Sequence, residues 1–349
     1  MPPPVIMMGV LSQTSPKQPA APSRRLPSWL IPVIGYSISI ACLFWVYQGF
    51  DWKSEWPRLL QTDWRWVSLA VVFDWVVYFC QGFRWTAILS PLGNFSVWKS
   101  TQAIYIGLFA NEVLPLRSGE VIRIYLQRRW TALPLSVVIS SVLIERLMDG
   151  IWLIAAFALV SSQVELPGFL KAMSQGLVVL LVILGGIIGI AMLYKKHAED
   201  AVARSRWARL LRPLVDGIHS MGRGRSFWRA FGLSFWYLAL QLVPLFALLR
   251  AYRLDLSPWA ALVLLVILRI GTVIPQAPGN VGSFQALIVA GLGLFGYSRA
   301  ESTGFATLSF FVVTVPLWLG GFVALILTRM RLGDIHRAAH QSLDDESTQ

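Results

Sequence analysis

Apolar residues in this chain come in blocks of about 20, not in the amphipathic stripes of a soluble helix, and a block of that length matches the core of a bilayer. With 56% hydrophobic residues and a mean hydropathy of +0.60, the composition excludes an ordinary soluble domain. It predicts an all-α polytopic membrane protein. Full spans are expected at 29–48, 66–89, 134–160, 175–194, 229–249 and 305–328. Two further apolar regions are interrupted: 101–130, broken at Pro115 and Gly119, and 258–296, broken at Pro275, Pro278, Gly279 and Gly282. Thr101 to Leu114 is about 14 residues, or about 21 Å of helix, too short for a core of about 30 Å. The expectation is therefore six full spans plus two re-entrant hairpins; eight full spans is the alternative.

The interruptions are related. VLPLRSGEV (Val113–Val121) and VIPQAPGNV (Val273–Val281) align at an offset of 160 residues, each with Pro, three residues and Gly inside an apolar run. Broken helices in corresponding places of two halves, here about 66–160 and 229–328, point to an internal repeat around a transport site.

The net charge of +12 does not indicate nucleic acid, because the basic residues gather beside the spans. Residues 195–229 hold nine Lys or Arg against three acids, and the flanks at Arg24 and Arg329 are also basic, so all three segments are expected in the cytoplasm. The first hairpin then enters from the cytoplasm and the second from outside, which makes the repeat inverted. In the basic loop 195–228, Trp207, Leu210, Leu211, Leu214 and Val215 share a helical face, which fits an interfacial helix on anionic headgroups or a topology-setting loop. Residues 1–28 are Pro-rich and polar and are expected to be a disordered tail; 29–330 reads as one membrane domain and 331–349 as a cytoplasmic tail.

Ionisable groups at membrane depth mark function by default. Around the first break stand Asn111, Glu112, Arg117, Glu120 and Arg123. The arginines can offer forked donors to a phosphate, and the helix restarting near Ser118 points its positive end the same way. The competing reading is a self-neutralising set that only holds the hairpin. Glu145 and Asp149 lie four apart on one helical face with Arg146 beside them; Asp74, Arg84 and Arg269 are candidate partners in other spans. The second break is neutral, and Gln276, Asn280, Ser283 and Gln285 fit a gate or cavity wall. The four histidines, His197, His219, His336 and His340, fall in loops or tail, and no HExxH or nucleotide motif occurs, so no metal, cofactor or nucleotide coupling is expected.

NEVLPLRSGEVIR, ERLMD and PQAPGNVGSFQA together resemble the signatures of the flippase-like membrane domain found at the front of bacterial lysylphosphatidylglycerol synthases. The resemblance covers roughly 30–330. It implies a polytopic inner-membrane protein that moves lipids between leaflets, with Asn111, Pro115, Arg117, Gly119, Glu120, Arg123, Glu145, Arg146, Asp149, Pro275, Pro278, Gly279 and Gly282 at the matching positions. No aminoacyl-transfer domain follows the last span, so lysyl transfer is not expected. The leading expectation is a lipid flippase whose partners are anionic membrane lipids, with an oligomer or a lipid-synthesising enzyme open as further partners. The rivals are a membrane enzyme using Glu112 or Asp149 as base, and a non-transporting scaffold.

Overall fold

The computed structural model describes residues 30–114, 118–165, 168–193, 216–222, 224–271 and 277–329. The expectations for both tails, the interfacial helix, Pro115, Arg117, Pro275 and Gln276 lie outside the described residues. The described residues form helices and no strand. The first half contains α1 (Leu30–Tyr47), α2 (Trp52–Leu60), α3 (Trp64–Leu89), α4 (Val97–Val113), α5 (Gly119–Thr131), α6 (Leu135–Ser161) and α7 (Gly168–Leu193). The second contains α8 (Arg225–Leu240), α9 (Leu242–Ala251), α10 (Pro258–Gly271), α11 (Ser283–Gly293) and α12 (Arg299–Thr328).

Among the described residues, three stretches are long and apolar enough to cross a membrane: Trp64–Leu92, Arg225–Ala251 and Arg299–Thr328. Shorter apolar helices cover Val33–Tyr47, Lys171–Gly186 and Pro258–Gly271, and α6 is 27 residues long but carries Glu145, Arg146 and Asp149. The chain is an all-α multi-pass membrane protein. Its surface agrees: Val72, Trp75 and Phe79 on α3, Val182 on α7 and Phe311, Phe322 and Ile326 on α12 are exposed, an apolar area that water would not tolerate on a monomer.

The expected span at 229–249 is a helix pair, α8 and α9, broken at Gln241. Pro244 has no N–H to offer the Leu240 carbonyl, so the regular ladder stops there. Both interrupted regions fold as half-length helices. α4 and α5, at 17 and 13 residues, reach about 26 and 20 Å; α10 and α11, at 14 and 11 residues, reach about 21 and 17 Å. None of the four alone spans a core of about 30 Å.

The first hairpin is closed by polar zips. The Gly119 N–H donates to Asn111 Oδ1 at 2.9 Å, and Ser100 and Gln127 bond each other at 3.0 Å further down. Gly107 and Gly119 face each other at the crossing, where a Cβ on Gly119 would collide with the Gly107 carbonyl oxygen. The second hairpin turns through Gly279 (φ 70°), Asn280 (φ 53°) and Gly282 (φ 86°), and the Gly282 N–H donates to Gln285 Oε1 at 2.8 Å. Its tip leans on α1: the Ala277 N–H donates to Ser39 Oγ at 3.2 Å, and a Cβ on Gly282 would strike the Ser39 carbonyl.

Two buried cores lie at opposite ends of the bundle. One joins Trp85 and Leu89 of α3 to Ile104 of α4, Leu126 of α5, Ile144 of α6 and Leu325 of α12. The other joins Ala70 of α3 to Leu248 of α9, Leu264 of α10, Leu292 of α11 and Phe305 of α12. Thus α3 and α12 both run from the core of the second hairpin to that of the first, and the hairpins pack from opposite ends.

Gly119→Ala should lower the stability of the purified protein by about 1–3 kcal/mol, the range for overpacking a close contact. Gly232→Ala on α8, where a Cβ meets nothing within 4 Å, should leave the unfolding temperature unchanged or raise it slightly. Thermal unfolding in detergent reads both.

Candidate functional site

On α3, Asp74, Tyr78, Gln81 and Trp85 recur at spacings of four, three and four, which puts them on one helical face, and Arg84 lies beside it. On α6, Glu145 and Asp149 share a face in the same way. Packing these faces together brings the charges into register. The Arg84 side chain, 0% exposed, places Nη2 at 2.7 Å from Glu145 Oε1 and binds both oxygens of Asp149 through its two terminal nitrogens. It also donates to Ser234 Oγ at 3.2 Å and lies over the Tyr237 ring at 4.5 Å. Gln81 adds a second donor to Glu145 Oε1 at 3.1 Å.

From Glu145 the network passes to the first hairpin. Arg123 Nη1 lies 3.5 Å from Glu145 Oε1, Arg123 Nε donates to Glu120 Oε2 at 2.9 Å, and Glu120 Oε1 accepts from Arg146 at 2.5 Å. Arg123 is 3% exposed and its guanidinium lies over the Trp85 ring, whose indole N–H donates to Ser141. It is committed to holding the hairpin against α3 and α6. Arg146 differs, because its side chain is 47% exposed.

A cavity of about 720 Å3 opens beside this network and reaches both hairpins. Its charged lining is Asp74, Glu112, Glu120, Arg123, Arg146, Asp149 and Arg269. Asn111 and Gly119 line it from the first hairpin, and Pro278 and Gly279 from the second. Glu145 and Arg84 stand behind the wall, fully buried, and Gly282 sits against α1. The hairpin tips meet here: a Cβ built on Gly279 would come within 2.8 Å of Glu112 Oε2, an oxygen buried without a hydrogen-bond partner. Arg269 donates to the Tyr237 hydroxyl at 3.4 Å and to Gln241.

Sequence reasoning missed Tyr78, Gln81, Ser234, Tyr237 and Gln241, all of which line the cavity. The signal was present as polar side chains at helical spacing, in the Asp74, Tyr78, Gln81 series and in the pair Tyr237 and Gln241. Among the described residues no three His, Cys, Asp or Glu side chains gather as a metal-ligand set.

The model of the lysylphosphatidylglycerol synthase TM region matches residues 33–327. The chain belongs to this family. No curated protein matches the chain significantly. Membership in the lysylphosphatidylglycerol synthase TM family, which the three motifs anticipated, points to a membrane domain in lipid modification or translocation. The first hairpin, the charged part of α6 and the tip of the second hairpin, which carry those motifs, converge on the cavity.

Arg84→Met leaves Glu145 and Asp149 short of their main partner and should cost about 3–5 kcal/mol. Adding Glu145→Gln and Asp149→Asn should return part of that loss, because no unbalanced carboxylate then remains. Unfolding temperatures of the single and triple variants check the ordering.

Proposed function

We propose that the protein is a lipid translocator of the bacterial inner membrane, with both termini in the cytoplasm and its two halves related as an inverted repeat. The observation that carries this reading is the cavity at membrane depth, walled by half-length hairpins packed from opposite ends of the bundle. Irregular backbone and unshielded charge survive at that depth only inside protein or along a wet cavity. A headgroup moves through the cavity while the acyl chains stay in the bilayer beside it. Arg146 is the principal cation for an anionic headgroup, since it lines the cavity and is half exposed. Arg117, adjacent in sequence to Ser118, is the second. Glu120 and Asp149 balance these charges or meet a cationic group, and the Pro-Gly breaks gate the two ends.

Of the two carboxylates that the group-transfer rival would use as base, Asp149 is engaged by Arg84. A scaffold has no use for a cavity of about 720 Å3 lined by charge.

Leaflet access of a fluorescent anionic lipid in reconstituted vesicles tests the reading. Protein-dependent movement is expected, slowed about tenfold or more by Arg146→Ala, the scale of one lost charge-assisted hydrogen bond. No movement of any candidate lipid, or full activity after both Arg117→Ala and Arg146→Ala, would sink it.

A further inference from the structure

The acids around the cavity are not equivalent. Glu145, Asp149 and Glu120 each bind one or more arginines, and Glu112, half-buried at the hairpin tips, has an unpartnered Oε2. Asp74 binds no arginine and is the more deeply buried of these two. It sits near the middle of α3, 8% exposed, and takes part in none of the ion pairs among the described residues. Its Oδ2 is buried without a hydrogen-bond partner, yet the residue lines the cavity.

Its surroundings are tyrosines, hydroxyls and apolar side chains. Tyr78 lies one turn on along α3, and Tyr105 of α4 contacts the Tyr78 ring at 5.3 Å; both are within electrostatic reach of Asp74. From α8, Tyr237 faces the same space, and its neighbour Arg269 of α10 is turned toward Tyr237 and Gln241. The charges of α6, Glu145 and Asp149, are held by Arg84 further along α3. From α9 the cavity wall receives Pro244, Leu245 and Leu248, and from α12 Ser309 and Thr314, none of them charged.

A carboxylate without a cation in such a place is more costly than its protonated form, so the group neutralises by taking a proton. We propose that Asp74 is a proton site: its carboxyl is protonated in this arrangement of the cavity and exchanges one proton with the cavity as access alternates. Only a proton moves, onto and off a carboxylate oxygen, so the step needs no redox partner. The coupling half rests on the translocator reading; the proton site itself does not.

Two measurements separate them. Infrared spectra of the purified wild type between about pH 5 and pH 9 should contain a protonated-carboxyl C=O band that shifts in D2O and is missing from Asp74→Asn. Identical wild-type and variant spectra would overturn the proton site. In vesicles carrying a fluorescent anionic lipid, an imposed pH gradient should alter the wild-type rate. The response should be lost in Asp74→Asn and recovered in Asp74→Glu, with gel filtration showing both variants monodisperse. An unchanged response in Asp74→Asn, or a response to a sodium gradient in place of pH, would overturn the coupling. If no lipid moves in the wild type, the translocator reading and the coupling fall together, while the infrared band still decides the proton site.

Discussion

The Arg84 guanidinium, fully buried in a chain that lives in a bilayer, governs how the helices of this protein assemble. An unpaired guanidinium in hydrocarbon is prohibitive, so α3 must meet the face of α6 that carries Glu145 and Asp149. Two carboxylates against one arginine leave an excess of negative charge. Arg123 of α5 supplies the second cation to Glu145, and α5 is thereby drawn to the same seam. Trp85, between Arg123 and Ser141, fills the space beside it. The set is therefore structural at its centre and available only at its edge, where Arg146, Glu120 and Asp149 reach the cavity.

The half-length hairpins solve a second problem of the same kind. A helix that stops inside the membrane leaves unpaired backbone donors and acceptors. In the first hairpin the Asn111 side chain meets one of them, the Gly119 N–H, and the Gly107–Gly119 crossing lets the arms approach closely. In the second, Gln285 and Ser39 take the Gly282 and Ala277 N–H groups. Glycine at 279 lets that tip approach Glu112, where any side chain would crowd the carboxylate. The pairing of a charged tip with a neutral one is thus visible in the geometry of their contact.

Much of this was legible in the sequence because the bilayer imposes a simple code. Apolar block length anticipated the long helices α1, α3, α6, α7 and α12, and Pro and Gly within the blocks marked where α4 parts from α5 and α10 from α11. The break at Gln241 escaped, since hydropathy does not register a proline that leaves a span equally apolar. Charges in α6 and the first hairpin were recognisable as a site, but not their division of labour. Glu145 and Arg146 are adjacent in sequence, and only packing decides that one is sealed behind the wall and the other opens into the cavity. Tyr237 and Gln241, though at helical spacing, were missed for a related reason: a few polar atoms in an apolar helix point to no site until the facing helix is known.

In the translocator reading the hairpin tips meet at a water-accessible cavity in the middle of the membrane. Thiol labelling of Glu112→Cys with a membrane-impermeant reagent tests it most directly, in a chain whose Cys42 and Cys80 are replaced by Ala and with Ile106→Cys, from the fully buried core, as reference. Position 112 should react in sealed vesicles while position 106 does not. Failure of position 112 to react from either face would contradict it.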